Sequence, residues 1–71
     1  MVSDIRQLLE ARPFIPFSIV TNSGKHYRVA TPDHASINPN QSRVIVYFDD
    51  DSHVATAPLH IASIEHEAAA S

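Results

Sequence analysis

The spacing of apolar and polar residues changes from a helical to a strand-like period within the first quarter of the chain. Ile5, Leu8 and Leu9 recur at the spacing of one helix face. Ser3 is a favourable N-cap residue, because its hydroxyl can accept a hydrogen bond from a free backbone N–H of the first turn. The pattern therefore predicts a helix from Ser3 to about Ala11.

The segment Pro13-Phe14-Ile15-Pro16-Phe17 separates this helix from the rest of the chain. Proline has a fixed φ, lacks an N–H and disfavours a helical conformation in the residue before it, so the helix must end before Pro13. The two phenylalanines are the largest apolar side chains near this boundary, and we expect both to anchor the helix to the strands.

From Phe17 onwards the apolar residues alternate with polar ones, as in half-buried strands. Asn22-Ser23-Gly24 contains the only glycine of the chain, which we expect at the positive-φ position of a three-residue hairpin loop. The predicted strands are Phe17 to Thr21, Lys25 to Ala30, a brief Ala35 to Ile37 inside an irregular connection, Arg43 to Phe48, His53 to Ala57 and Ile61 to Glu65.

The segment from Arg43 to Phe48 is the strongest strand signal and is apolar on both faces. Such a strand is usually covered on both sides, here by the core on one side and by the helix or another subunit on the other. The residues predicted for self-association are Val44, Ile45, Val46, Tyr47 and Phe48.

One helix followed by short strands and tight turns predicts a mainly β protein. We expect an N-terminal helix followed by a small, bent, five- or six-stranded antiparallel barrel of SH3 or Sm type. Residues 1–66 would form this single domain, and residues 67–71 a disordered tail.

Composition narrows the functional classes. The chain has 71 residues, a net charge of -3 and no cysteine, so disulfides and thiolate metal sites are excluded. A core of this size is seldom sufficient for high stability, which favours a homo-oligomer, with another protein as a further type of partner. The N-terminus has no signal-peptide pattern and no segment could span a bilayer, so we expect a cytoplasmic protein without a membrane partner.

Catalytic and metal-binding chemistry is not indicated by the residue pattern. The five histidines have no ligand spacing, and a single glycine cannot build a phosphate loop. Serine, histidine and aspartate occur, but in no recognisable catalytic motif. Asp49-Asp50-Asp51 is interpreted as an acidic hairpin turn that keeps its strand soluble. The sequence thus predicts no enzyme, no metal site and no cofactor.

The order of these elements resembles that of a group of small uncharacterised bacterial proteins. The shared features, in chain order, are the helix, Pro13-Phe14-Ile15-Pro16-Phe17, the glycine hairpin, the Val44-Ile45-Val46-Tyr47 strand, the acidic turn and Ile61-Ala62-Ser63-Ile64-Glu65. The resemblance covers roughly residues 4–66. It implies a fold and no activity.

A weaker resemblance, to the Sm-like superfamily, rests on the Asn22-Ser23-Gly24 turn and on Leu59-His60 before the last strand. His60 matches the histidine of a Lys-His pair in the bacterial Sm-like RNA chaperone, and Leu59 stands where that lysine would be. This resemblance implies a ring that binds single-stranded RNA.

The strands also offer residues for RNA binding. Lys25, His26 and Arg28 lie on one hairpin arm, and alternation places His26 and Arg28 on the same face. Together with His60 from the resemblance, these are the predicted RNA-binding residues. Two hypotheses therefore stay open: a non-catalytic, self-associating protein-interaction module, and an Sm-like oligomeric ring that binds single-stranded RNA.

Overall fold

The computed structural model describes residues 2–66 and contains one α-helix, six strands and two short 3₁₀ helices. The helix α1 spans Val2–Glu10. The strands are β1 (Phe17–Thr21), β2 (His26–Val29), β3 (Ala35–Ile37), β4 (Val44–Tyr47), β5 (His53–Thr56) and β6 (Ile61–His66). The first 3₁₀ helix spans Pro32–His34 and the second spans Pro58–His60. The predicted tail at 67–71 lies outside the described residues.

The predicted helix and all six predicted strands are confirmed, and every predicted end lies within one residue of the observed one. The role predicted for Ser3 is wrong. Because α1 begins at Val2, Ser3 lies inside its first turn and is not the N-cap. At the other end, the guanidinium of Arg12 donates to the carbonyl of Ala11 at 2.8 Å, so a cation stabilises the negative end of the helix.

The strands form two separate antiparallel sheets of three strands each. The first sheet has the order β2-β1-β6 and the second has the order β3-β4-β5. In the described part of the chain no ladder joins the two sheets, so the predicted barrel is not closed. A 3₁₀ helix interrupts the chain at both passages between the sheets, and each begins with a proline, which cannot donate to a ladder.

The core lies between the two sheets and α1. It is formed by Ile5, Phe17, Ile19, Val29, Ala35, Val44, Val46 and Ile61. Ile5 is the one fully buried side chain of the helix, and Phe14 packs on Phe17 with 6.0 Å between ring centroids. The anchoring role predicted for the two phenylalanines is therefore consistent with their packing. No helix among residues 2–66 is long and apolar enough to cross a bilayer.

Candidate functional site

An open cleft of about 420 Å³ lies where the β1–β2 hairpin, β5 and the second 3₁₀ helix meet. Its volume falls in the range of small-molecule sites. The hairpin contributes most of the lining, β5 contributes three residues and the 3₁₀ helix contributes one. The lining consists of Thr21, Asn22, Ser23, Lys25, Tyr27, Val54, Ala55, Thr56 and His60.

The hairpin tip is held in place by the second 3₁₀ helix. The backbone N–H of Asn22 donates to the carbonyl of His60 at 2.9 Å. The side-chain Nδ2 of Asn22 donates to the carbonyl of Leu59 at 3.2 Å. These bonds connect the hairpin tip to the second 3₁₀ helix, and the side-chain bond joins residues that are 37 positions apart in the sequence. They fix one wall of the cleft.

Two buried threonines make part of the cleft lining polar. In each of β1 and β5, the last of the residues whose side chains face the core is a threonine. Thr21 continues the row of Phe17 and Ile19 in β1, and Thr56 occupies the same kind of position in β5. Both threonines are only 8% exposed. The hydroxyl of Thr21 accepts a hydrogen bond from the N–H of Lys25 at 3.2 Å.

The charge of the cleft differs from that of the whole chain. The chain carries eight acidic residues and a net charge of -3, yet none of the described lining residues is acidic. Lys25, the only lysine of the sequence, lines the cleft together with His60. The cleft is therefore a locally basic site in an acidic protein.

The structure divides the four predicted RNA-binding residues between two surfaces. Lys25 and His60 line the cleft. His26 and Arg28 lie on the opposite, outer face of the first sheet, because Tyr27 between them points inward. On that face the ring of His26 is 3.5 Å from the carboxylate of Glu65, so the outer face carries both signs of charge.

The five residues predicted for self-association are also divided. Val44 and Val46 belong to the core and are 0% and 1% exposed. Phe48 packs against the core, with its ring 6.2 Å from that of Tyr27. Ile45 and Tyr47 lie on the outer face of the second sheet, where Tyr47 is 40% exposed.

Because β4 is the central strand of its sheet, it has no free edge. The side chains of Val44 and Val46 are part of the hydrophobic core. The free edges belong to β2 and β6 in the first sheet and to β3 and β5 in the second.

A hydroxyl, an imidazole and a carboxylate form a hydrogen-bonded chain that the sequence did not reveal. The Thr31 hydroxyl is 2.6 Å from Nδ1 of His34, and Nε2 of His34 is 2.9 Å from the carboxylate of Asp49. The side chain of Asp49 is 97% exposed, so water screens its charge. The Thr31 hydroxyl also accepts from the N–H of Asp33 as the cap of the first 3₁₀ helix. These contacts connect that helix to the acidic turn, which is a structural role.

Sequence reasoning missed the polar residues of the cleft and the exposure of Leu59, which is 83% exposed. A signal for the first was present. Thr21 and Thr56 each end an inward-facing row in which an apolar residue would be expected. No signal marked Leu59, because its exposure depends on how the second 3₁₀ helix sits between the sheets.

In comparisons with known proteins, no family model, curated protein or solved structure matches this chain. The geometry of its own residues is therefore the basis for a functional hypothesis.

Proposed function

We propose that this protein is a non-catalytic interaction module that self-associates by pairing β5 of one copy with β6 of the next. The observation that carries the proposal is the presence of two free strand edges and of an exposed leucine in the segment that connects these strands. β5 and β6 are edge strands on either side of the second 3₁₀ helix, and Leu59 in that helix is 83% exposed. A free strand edge beside an exposed leucine combines backbone pairing with apolar burial.

The backbone of β5 is suited to this pairing. The N–H of Phe48 donates to the carbonyl of Ser52 at 2.9 Å, which marks a hydrogen-bonded position at the start of the β4–β5 ladder. Hydrogen-bonded and non-hydrogen-bonded pairs alternate in an antiparallel ladder. His53 and Ala55 therefore direct their backbone N–H and C=O groups away from β4 and towards a partner.

The same alternation applies to β6. The N–H of Thr21 donates to the carbonyl of Lys25, so Ser18 and Val20 direct their backbone groups to β6 instead of β2. On β6 this leaves the backbone groups of Ile64 directed to the free edge.

The other two edges fit a partner less well. β3 has only three residues, and β2 contains Arg28, a charge of the kind that protects edges from pairing. β5 contains no lysine, arginine, carboxylate or proline, and the one carboxylate of β6, that of Glu65, is 3.5 Å from the ring of His26 in β2. Pairing β5 with β6 uses two different surfaces, so it is heterologous and generates a ring if the rotation closes.

The test is the mass of the assembly, measured by native mass spectrometry and by light scattering after size-exclusion chromatography. The proposal predicts an oligomer for the wild-type protein. Ala55→Pro should give monomers, because it blocks the outward N–H of β5 while the bonds to β4 remain. Leu59→Ser should weaken the assembly through loss of apolar burial.

The matched control is Ile15→Ser. Ile15 is 44% exposed but lies in the segment after α1, so its substitution should leave the assembly intact. Circular dichroism of each variant checks that the monomer is folded. A wild-type protein that is monomeric at every concentration measured would contradict the proposal.

An Sm-like ring that binds single-stranded RNA is the second hypothesis. It is supported by the joint position of Lys25 and His60 in the cleft. It is placed second because His26 and Arg28 lie on the other face of the first sheet, so the four residues do not form one continuous track. Native mass spectrometry of protein purified without nuclease detects bound RNA in the same measurement.

A further inference from the structure

We propose that the cleft between the β1–β2 hairpin and β5 binds a small molecule that carries an oxyanion, either a phosphate ester or a carboxylate. This site goes beyond self-association, since it concerns a ligand and not a partner chain. The argument rests on the charge, the hydrogen-bonding groups and the size of the cleft.

The charge of the cleft selects an anion. Lys25 lines it, and in the described part of the chain no carboxylate lies within 4.0 Å of the Lys25 ammonium group. Two histidines elsewhere on the surface do have a carboxylate nearby: His26 is near Glu65, and His34 bonds to Asp49. Lys25 thus lines the cleft, and its ammonium group has no neutralising neighbour among the described residues.

The remaining polar groups are suited to an oxyanion. The hydroxyls of Thr21 and Ser23 are 2.9 Å apart and share one hydrogen bond, so one of the two hydrogens is still able to point elsewhere. Thr56, Tyr27 and His60 also line the cleft; the first two carry hydroxyls and the third carries imidazole nitrogens. Hydroxyl hydrogens rotate to suit a ligand, and hydrogen bonds to an ionised oxygen are about twice as strong as neutral ones.

The cleft also limits the rest of the ligand. Val54, Ala55 and the ring of Tyr27 form an apolar part of the lining. The Tyr27 ring is held by Phe48 at 6.2 Å between centroids. A volume of about 420 Å³ accommodates one compact molecule, with its oxyanion at Lys25 and a non-ionic body on the apolar part. His26 and Arg28 lie on another face of the sheet, so among the described residues no continuous row of basic residues extends from the cleft. This favours a single small molecule over a nucleic-acid strand.

The single lysine makes the test direct. The full-length protein is treated with an amine-acetylating reagent, and acetylation of the Lys25 peptide is followed by mass spectrometry. The probes are glucose 6-phosphate, inorganic phosphate and citrate, each compared with sodium chloride at equal ionic strength. Protection by glucose 6-phosphate and inorganic phosphate identifies the phosphate ester as the ligand class, whereas protection by citrate alone identifies a carboxylate.

Affinity is measured by chemical-shift changes of backbone amides in the wild-type protein and in variants. Lys25→Gln should weaken binding by about tenfold or more, because it removes the charge-assisted hydrogen bond. His60→Gln should weaken it less. Arg43→Gln is the matched control: it removes an exposed cation that does not line the cleft, and binding should be unchanged.

Two results would overturn the proposal. In the first, Lys25 is acetylated equally fast with every probe and with chloride. In the second, a uridine oligonucleotide protects Lys25 while all small anions fail, which would assign the cleft to RNA instead. Repeating the titration with Leu59→Ser separates the failure of this proposal from that of self-association, since ligand binding should persist in a protein whose assembly is weakened.

Discussion

Gly24 and Asp51 occupy equivalent positions in two hairpin loops that have the same hydrogen-bond pattern. Each residue donates its N–H to the carbonyl three positions earlier, at 2.9 Å for Gly24 and 3.1 Å for Asp51. In both loops a second backbone bond of 2.9 Å closes the hairpin. Both residues have positive φ, 86° and 71°. One loop has a glycine at this position, and the other has a residue with a Cβ atom.

This equivalence predicts opposite effects on stability. Gly24→Ala should destabilise by about 1 kcal/mol, since a left-handed backbone is costly for a residue with a Cβ atom. Among the described residues, apart from the chain neighbours of Gly24, no atom lies within 4 Å of the added Cβ, so the cost comes from the local backbone and not from packing. Asp51→Gly should stabilise by roughly 0.5 to 1 kcal/mol for the same reason. Urea unfolding measures both.

Asp51→Ala is the control for charge. It removes the same carboxylate from the acidic turn but keeps the Cβ atom. If Asp51→Ala stabilises as much as Asp51→Gly, charge repulsion and not backbone strain accounts for the gain.

The neighbouring Asp50 is expected to make stability depend on pH. The hydroxyl and N–H of Ser52 both donate to the carboxylate of Asp50 and lower its pKa below the ordinary value. A carboxylate whose pKa is lower in the folded state adds stability above its unfolded pKa of about 3.9. This contribution should be lost as the pH falls through the lower, folded pKa.

The measurement is an NMR titration of the Asp50 carboxyl carbon. Ser52→Ala should raise the pKa of Asp50 towards its ordinary value, because it removes the hydrogen bond that the Ser52 hydroxyl donates to the Asp50 carboxylate. An identical titration curve in the variant would show that Ser52 does not lower this pKa.

The attachment of the helix is tested at Ile5, which is 0% exposed. Ile5→Ala should destabilise by about 2 to 5 kcal/mol through lost burial and a cavity. This is comparable to the few kcal/mol that so small a core supplies, so the variant should be largely unfolded. Ile5→Val should cost only about 0.5 to 1.5 kcal/mol.

Circular dichroism and urea unfolding of the two variants provide the measurement. Ile15→Ala is the control, since Ile15 is 44% exposed and should tolerate the change. A native-like unfolding midpoint for Ile5→Ala would mean that α1 is not required for the core.

The loop between β3 and β4 depends on the side chain of Asn38. Its amide oxygen accepts from the N–H groups of Ser42 and Arg43 at 2.8 and 2.9 Å. Its side-chain amide nitrogen also donates to the Ser42 hydroxyl at 2.8 Å. Asn38→Ala should destabilise by about 1 to 2 kcal/mol, as expected for three lost hydrogen bonds that are partly replaced by water. Asn38→Asp keeps both acceptor positions and should cost less. Asn40→Ala, at an exposed position of the same loop, should have little effect in urea unfolding.

Much of the fold was accessible from the sequence because its signals are local. The limits of helix α1 follow from Pro13 and from the spacing of Ile5, Leu8 and Leu9. The alternation in β1 predicted its buried face, and the single glycine predicted the first hairpin loop. The prediction of a closed barrel was wrong, since closure depends on backbone pairing between distant strands, which no local pattern encodes.

The candidate sites were accessible only in part. Lys25 and His60 were selected as members of one set with His26 and Arg28, but the residue types do not tell which of them share a surface. Alternation separated His26 and Arg28 from Tyr27, whereas the meeting of Lys25 with His60 required the hairpin tip to bind the second 3₁₀ helix.

The sequence by itself determined the elements of this protein, their order and most of their inward faces, because helix and strand periods act over a few neighbouring residues. Only the tertiary structure decided that β4 is central, that β5 and β6 have free edges, and that Leu59 is exposed between them. It also decided that the single lysine lines a cleft in which none of the described lining residues is acidic. These features arise from contacts between residues far apart in the chain, and such contacts depend on how the two sheets pack around one core.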